Sequence, residues 1–350
     1  MEKAEVLERL ARECPVPEPG QEVEVDRFRP VDAWGVARLF FTVYGGEYPA
    51  EIPYVPERLV GANGDGTMYS AVARTPAGDI VGHVALYRSS PPHPGLYELG
   101  QGAVLPAYRG ASLVTRLQSL LLEEVTPGLP VDAVFGEVVM HHTAMQKLVA
   151  RLGCMETGIE LDLMPEGSYE REGEPGRVSV LLVSRTYRDR PQLLHVPPVH
   201  RPALEFVLPD LGILRTVEDS VAPLPRGRKT DVCVTTFPPA GVLRANVASA
   251  GEDFEEVCRN IEARADGEGL VVRQLFLSLH EPWTGAAVDI LGAHGYFLAG
   301  YAPRWFDHDA LVLQKLTVEP GWDRMKVFAD KAQRILELIR RDRERVRGLP

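Results

Sequence analysis

The stretch from Tyr97 to Leu113, reading YELGQGAVLPAYRGASL, constrains the fold more than any other part of the chain. Its apolar residues predict a strand that ends at Pro106, because proline removes a backbone donor from a strand ladder. Leucines then recur with the i, i+4, i+7 and i+8 spacing of one buried helix face. These residues are Leu113, Leu117, Leu120 and Leu121. The stretch therefore predicts a strand, a short loop with Arg109 and Gly110, and a helix.

A loop that opens a helix favours an anion. The first backbone N–H groups of a helix have no intrahelical acceptor, and the helix dipole adds to their positive potential. Arg109 supplies a guanidinium whose fork of donors suits phosphate. Strand-loop-helix turns with one glycine and one arginine also occur as purely structural turns. The residues alone therefore leave two interpretations, a phosphate site or a structural turn.

Composition narrows the class of protein. The 350 residues carry a formal net charge of −11, which argues against nucleic acid as the main partner. The cysteines show neither disulfide nor zinc spacing, so we expect reduced thiols and no metal site. They are Cys14, Cys154, Cys233 and Cys258. No apolar run is long enough to span a membrane, and the charged N-terminus is unlike a signal peptide. We therefore expect a cytoplasmic protein without a membrane partner.

The length predicts about two domains. Apolar patterns between residues 22 and 188 predict the order strand, helix, three strands, helix, strand, helix and two strands. We assign an N-terminal helix and linker to residues 1–20, a first domain to 21–194, a second domain to 195–318 and a C-terminal helix to 319–350. The last helix is expected to pack on either domain or on a second subunit, which would make a homodimer.

The residues Val104-x-Pro106-x-x-Arg109-Gly110, followed by an apolar helix, resemble the acyl-CoA-binding motif of the GNAT N-acetyltransferase superfamily. The order of elements is also that of a complete domain of this superfamily. The resemblance implies an α/β (α+β) fold, with a mixed, mostly antiparallel sheet flanked by helices. It also implies that backbone amides of the loop hold the diphosphate of acetyl-CoA (coenzyme A). The residues that match the motif region are Ala103, Val104, Arg109, Gly110, Ala111, Ser112, Leu113 and Val114. Two of them, Ser112 and Val114, stand where small residues are usual.

A second segment, HTAMQKLVARLGCMETGIELDLMP at 142–165, resembles the superfamily's N-x-x-A-x-x-L-Y-x-x-x-G-F segment. With Gly153 aligned, His142 takes the place of Asn and Val149 that of Tyr. In many members that tyrosine protonates the departing thiolate, and valine cannot do so. The resemblance therefore implies the fold but leaves the general acid open.

The second half repeats the first. A shift of 142 residues places Gly153 on Gly295 and Gly158 on Gly300. The second half is therefore expected to be a further GNAT-like domain, degenerate because carboxylates at Glu252 and Asp253 would repel a diphosphate.

Three residues are candidates for proton transfer. Glu98 lies on the strand before the motif, and alternation places it on one face with Gly100, Gly102 and Val104 unless a bulge intervenes. It is either a general base or a solvated strand-end carboxylate. Glu137, inside the apolar run 131–140, needs a partner or a function, since a buried charge is costly. His142, expected with His141 at the start of a helix, could titrate near neutrality.

Tyr44, Tyr48 and Tyr54 flank a Gly/Pro-rich loop that, in a GNAT domain, covers the acceptor. They are candidate substrate contacts, or they pack beneath the loop. The resemblance implies transfer of an acetyl group from acetyl-CoA to a primary amine, on a small molecule or a protein, by direct attack on the thioester. The alternative is an acyl-CoA sensor or interaction module without catalysis, suggested by Val149 and Val114.

Overall fold

The order of elements predicted between residues 22 and 188 is confirmed in the computed structural model, with one helix added. The structure describes residues 2–13, 17–48, 50–110, 112–167, 169, 173–174 and 176–349. Contacts divide the chain into two units, one formed by residues 1–89 and 97–131, the other by 90–96 and 132–350. The domain boundaries expected from the sequence stay a prediction. Among the described residues, no helix has the length and apolarity needed to cross a membrane.

The first unit contains an antiparallel sheet with strand order β1-β2-β3-β4. Its strands are β1 Glu24–Arg27, β2 Met68–Arg74, β3 Ile80–Tyr87 and β4 Leu96–Val104. Its helices are α1 Lys3–Arg12, α2 Ala33–Tyr44, α3 Pro56–Asp65 and α4 Leu113–Ser119, the last continued by a π-helical segment, Leu120–Val125. The predicted leucine face is confirmed in part: Leu113, Leu117 and Leu121 are buried, whereas Leu120 is half-buried.

Helix α3 is the helix that the sequence analysis did not predict. It occupies part of the Gly/Pro-rich segment, with Pro56 in its first turn, where the missing N–H costs nothing. Gly61 and Gly64 weaken its intrinsic helix propensity. Burial of Leu59 and Ala62 against the rest of the first unit stabilises it instead.

The second unit contains a mostly antiparallel sheet with strand order β5-β7-β6-β13-β14-β12-β11-β10. These strands are β5 Ala133–Val139, β6 Met155–Met164, β7 Val178–Thr186, β10 Asp231–Phe237, β11 Val242–Ser249, β12 Val272–Ser278, β13 Phe297–Ala302 and β14 Ala310–Leu316. A separate parallel pair joins β8 Gln192–Val196 to β9 Arg215–Asp219, and the sequence analysis did not predict it. The helices are α5 Ala144–Arg151, α6 Arg201–Val207, α7 Phe254–Gly267, α8 Thr284–Ala293 and α9 Asp330–Arg347.

The internal repeat is confirmed by the register of the strands. The β5-β7-β6 and β12-β14-β13 segments have equivalent pairing, and each inner hairpin skips one residue, Thr157 in β6 and Ala299 in β13. Equivalent pairs, first copy before second, are Met155–Ser184 and Phe297–Gln314, Gly158–Leu182 and Gly300–Val312, and Ala133–Thr186 and Val272–Leu316. Sequence similarity at a shift of 142 residues thus reflects a duplicated three-strand unit.

Candidate functional site

Strand β4 contains a β-bulge just before the candidate loop. Gly100 pairs with Ala85 and Ala103 pairs with His83, so β4 has one residue more than β3 in this interval. Gln101 lies in the left-handed region, with φ of 49°. The extra residue shifts the alternation of side chains by one. Glu98 and Gly100 therefore keep one face of the sheet, whereas Val104 falls on the other, and the expectation that Glu98 and Val104 share a face is wrong.

Helix α2 covers the face that carries Glu98. The ring of Phe40 contacts the ring of His83, with centroids 5.5 Å apart. The Tyr44 hydroxyl donates to the carbonyl oxygen of Gly102 at 2.8 Å, within the bulge. This hydrogen bond fixes the bulge to the helix.

The three candidate tyrosines occupy different environments. Tyr44 and Tyr48 are half-buried and their rings lie 4.9 Å apart. Tyr54 is fully buried, and its hydroxyl accepts a hydrogen bond from the Tyr48 backbone N–H at 3.2 Å. Burial raises the pKa of Tyr54 to about 12. Tyr54 therefore supports the wall, while Tyr44 and Tyr48 are the two tyrosines with surface exposed.

Glu98 is paired across the sheet with Tyr87. The two residues lie directly opposite each other in the β3–β4 register, and the Tyr87 hydroxyl donates a hydrogen bond to Glu98 Oε1. Both side chains are half-buried. Gly100 lies beside them: a Cβ added there would be 3.1 Å from the Tyr87 hydroxyl oxygen. A glycine at this position leaves room for the pair.

His83 lies on the same face of β3 and is completely buried. Its Nδ1 is 2.8 Å from the carbonyl oxygen of Gln101, and its Nε2 has no partner among the described residues. Burial lowers the pKa of His83 to about 4. The ring is therefore neutral at pH 7, and a proton on Nδ1 is the tautomer that makes this hydrogen bond.

The loop after β4 exposes its polar backbone. Arg109 and Gly110 are exposed, and Arg109 Nε donates to the Val104 carbonyl oxygen at 3.3 Å. Gly110 has φ of 91°, and no heavy atom of the described residues lies within 4 Å of a Cβ placed on it. Ser112, just before α4, is also left-handed at φ of 54° and exposed. Ala111 lies outside the described residues.

The remaining motif residues contribute by their backbone. Ala103, Val104 and Leu113 are buried, and Val114 is half-buried. A Cβ added to Gly82 would lie 3.3 Å from the Leu113 side chain, which packs on the face of the sheet opposite Glu98. The loop thus has the exposed amides, an exposed guanidinium and the open glycine that suit a diphosphate.

Glu137, in the second unit, has the partner that its burial requires. Its Oε1 accepts from Arg244 Nη2 at 2.9 Å, with side chains 12% and 6% exposed. The Arg244 guanidinium also lies over the rings of Phe276 and Trp305. Whether Glu137 also transfers protons stays a prediction.

His141 and His142 lie between β5 and α5. Helix α5 begins at Ala144, so the expectation that the two histidines start the helix is wrong. Their rings are 4.4 Å apart. A role of His142 in proton transfer stays a prediction.

The second copy of the repeat has a closed equivalent of the candidate loop. Strands β11 and β12 pair in parallel along Val242–Val247 and Val272–Leu277. At the start of α7 the chain binds itself: Gly251 N–H donates to Thr230 Oγ1, and Thr230 N–H donates to Asp253 Oδ1. Because these groups are already paired and Asp253 is acidic, we expect no diphosphate at this turn.

One group of side chains in the described part of the chain has the composition of a metal site. His93, Asp132 and Asp307 bring potential ligand atoms within 4.8 Å of one another. Arg304 Nη2 lies among them, 2.9 Å from Asp132 Oδ2 and hydrogen-bonded to Asp307. This guanidinium already neutralises the carboxylates.

Comparisons with known proteins find structural matches. No family model matches the sequence, and no curated protein matches it. Ribosomal-protein-S5-alanine acetyltransferase from Vibrio fischeri is 14% identical, with a TM-score of 0.39, over 49% of this chain and 97% of that chain. Spermidine/spermine N-acetyltransferase SpeG from Vibrio cholerae is 15% identical, with a TM-score of 0.36, over 47% and 93%.

A GNAT-family protein from Desulfovibrio desulfuricans is 18% identical, with a TM-score of 0.35, over 47% of this chain and 99% of that chain. The chain is thus similar to acetyltransferases over about half of its length. At these identities and TM-scores the matches carry no argument about its chemistry, which rests on its own residues.

Sequence reasoning missed Tyr87 and His83. The hairpin turn at residues 75–79 predicts the register of β2 with β3, but the connection 88–95 leaves the register of β3 with β4 open. The pair Gly100 and Gly102 is the one signal in the sequence that a close contact or a bulge occurs in β4.

Proposed function

We propose that the chain binds acetyl-CoA at the loop after β4 and transfers the acetyl group to a primary amine. The observation that carries the proposal is the exposed loop at Arg109 and Gly110, which opens α4 directly after a bulged strand bearing Glu98. A diphosphate and a proton acceptor are thereby provided for within one unit of the chain.

The donor is held by the loop. The first N–H groups of α4, the exposed backbone at Gly110 and the Arg109 guanidinium supply donors and positive charge for the diphosphate. Coenzyme A contributes the acyl group as a thioester. Ala103 and Val104, with buried side chains, can contribute backbone contacts alone.

The acceptor is a primary amine that arrives as an ammonium ion. In this proposal Glu98 takes one proton from the ammonium nitrogen, which leaves a neutral nucleophile. The amine nitrogen then forms a C–N bond to the acyl carbon while the C–S bond breaks and the sulfur leaves as a thiolate, which takes a proton from solvent. Tyr44 and Tyr48 offer partly exposed aromatic surface to a cation on the same face.

Binding is tested by thermal unfolding. Acetyl-CoA at 100 times its Kd is expected to stabilise the wild type by about 2.7 kcal/mol, which raises Tm. Arg109→Glu should abolish the rise, since it places a carboxylate at the diphosphate. Arg12→Glu is the matched charge reversal, on exposed α1, and should keep it. A wild type whose Tm does not respond to acetyl-CoA would overturn the proposal.

Turnover is tested by release of free thiol with a panel of primary amines, including polyamines and peptide N-termini. Glu98→Gln should lower kcat/KM by about 10²–10⁴-fold, the usual contribution of a general base. Acetyl-CoA binding without turnover of any amine would support the sensor instead. The observation that favours that second function is Val149, a buried valine where the resemblance would place a proton-donating tyrosine.

A further inference from the structure

We propose that Tyr87 is the positioning residue for Glu98, and that its hydroxyl holds the Glu98 carboxylate in the ionised, oriented form that accepts the substrate proton. This inference rests on the proposed function, because it assigns Glu98 as the base. It adds a residue on β3 that no motif in the sequence indicates.

The register and the hydrogen bond carry the inference. Tyr87 and Glu98 are Cα partners in the antiparallel β3–β4 pair, so their side chains leave the sheet together on one face. The hydroxyl donates to Glu98 Oε1. The pairing is therefore fixed by the backbone rather than by two mobile surface side chains.

Gly100 is a second, independent observation. It follows Glu98 by two residues on the same face of β4, and a Cβ there would lie 3.1 Å from the Tyr87 hydroxyl oxygen and 3.6 Å from Glu98 Oε1. The first distance is tighter than ordinary van der Waals contact. The absence of a side chain at position 100 thus lets the Tyr87 hydroxyl reach the carboxylate.

A hydrogen bond donated to a carboxylate favours its charged form. A base for an ammonium ion must be charged before the substrate binds, and its accepting oxygen must be oriented. Tyr87 keeps its own proton throughout; the transferred proton moves from the ammonium nitrogen to a Glu98 oxygen. Loss of the hydroxyl therefore removes both the charge preference and the orientation.

Other titratable groups near this face do not provide the same effect. His83 shares the face of β3, but burial lowers its pKa to about 4, so it stays neutral during an assay between pH 6 and 10. From α2, the Tyr44 hydroxyl donates to the Gly102 carbonyl oxygen, and Tyr48 packs against the Tyr44 ring. None of these three side chains brings a positive charge to the carboxylate in that range.

The first experiment is the pH dependence of kcat/KM for the full-length chain. Tyr87→Phe should move the acid limb to higher pH by about one unit, as expected for loss of a hydrogen bond to a charged group. The KM for acetyl-CoA should not change. Gly100→Ala, which pushes the hydroxyl away without removing it, should shift the limb in the same direction. Tyr69→Phe is the control, since Tyr69 pairs with Leu86 on the opposite face.

The second experiment does not depend on activity. Glutamate labelled with ¹³C at the carboxyl carbon reports each titration by NMR, and the signal lost in Glu98→Gln identifies Glu98. Its titration midpoint should rise by about one pH unit in Tyr87→Phe and rise in Gly100→Ala.

The outcomes separate the two proposals. A wild type that acetylates no amine refutes the transferase, while the NMR titration still decides whether Tyr87 controls Glu98. An active wild type with inactive Glu98→Gln, but unchanged pH profile and midpoint in both Tyr87→Phe and Gly100→Ala, overturns the role of Tyr87. If Tyr87→Phe fails to fold, the pH profile and midpoint of Gly100→Ala decide between these outcomes.

Discussion

Gly158 of β6 lies directly opposite Gly300 of β13, so the repeat meets itself at the same residue of each copy. Neither position has room for a side chain. A Cβ on Gly158 would be 2.7 Å from the Gly300 Cα, and a Cβ on Gly300 would be 2.4 Å from the Gly158 Cα. The two hairpins can therefore pair only because both residues are glycine.

Substitution of either glycine should separate these strands. Gly158→Ala is expected to destabilise the chain by about 3 kcal/mol, because the new methyl group meets backbone that cannot move away. The measurement is urea unfolding followed by circular dichroism. Gly267→Ala is the control, since no heavy atom lies within 4 Å of a Cβ there. Equal stability of the two variants would contradict the close approach.

Gly110 is expected to matter for ligand binding as well as for folding. Its φ of 91° is strained for any other residue, so Gly110→Ala should cost about 1 kcal/mol. It should also weaken the rise of Tm with acetyl-CoA, since the loop backbone is displaced. Gly78→Ala, in the β2–β3 turn with φ of 87°, should cost a similar amount and keep the response. The same acetyl-CoA response in both variants would exclude the loop as the binding site.

The stability of the first unit should fall between pH 6.5 and pH 4. Burial lowers the pKa of His83 to about 4, against about 6.5 in the unfolded chain. The unfolded state therefore binds an extra proton in this window, and the stabilisation, fully present above pH 6.5, is lost as pH falls through it. The loss is expected to approach 3 kcal/mol, roughly, for the full shift. His83→Gln should remove this pH dependence, which urea unfolding at pH 7 and pH 5 would measure.

Asp342 should control stability at lower pH. Burial raises its pKa, but hydrogen bonds and charge from His200 and Arg345, with the Leu298 N–H, outweigh burial and hold it at about 2. A depressed carboxyl pKa stabilises the fold above about pH 4, and this stabilisation is lost between pH 4 and pH 2. Asp342→Asn should cost about 2 kcal/mol at pH 7 and flatten that acid dependence.

Glu319 is the comparison for Asp342. Its pKa is also lowered to about 2, by hydrogen bonds from Arg343 and Arg347, but its side chain is 58% exposed. Solvent and salt screen an exposed ion pair, so Glu319→Gln should change stability by less than about 1 kcal/mol. An acid dependence that both variants alter equally in 1 M salt would contradict the buried role of Asp342. Thermal unfolding between pH 2 and pH 5 provides the measurement.

Local patterns in the sequence predicted most of the first-unit elements. The alternation and turn residues at 68–87 predicted the β2–β3 hairpin, and Pro106 predicted the end of β4. Gly153 and Gly295 predicted two helix ends, and both adopt a left-handed φ there. Helix α3 was not predictable in this way, because its glycines lower its propensity and only burial of Leu59 and Ala62 compensates.

The sequence by itself determined the repeat, the loop at Arg109 and Gly110, and the candidate base Glu98, because each depends on residues close together in the chain. Only the tertiary structure decided which face Glu98 occupies and which residue it meets. A single bulge at Gln101 inverts the faces of the residues that follow it, and the β3–β4 register brings Tyr87 across to Glu98. Neither is encoded in local spacing, since both depend on how two strands pair after a long connection.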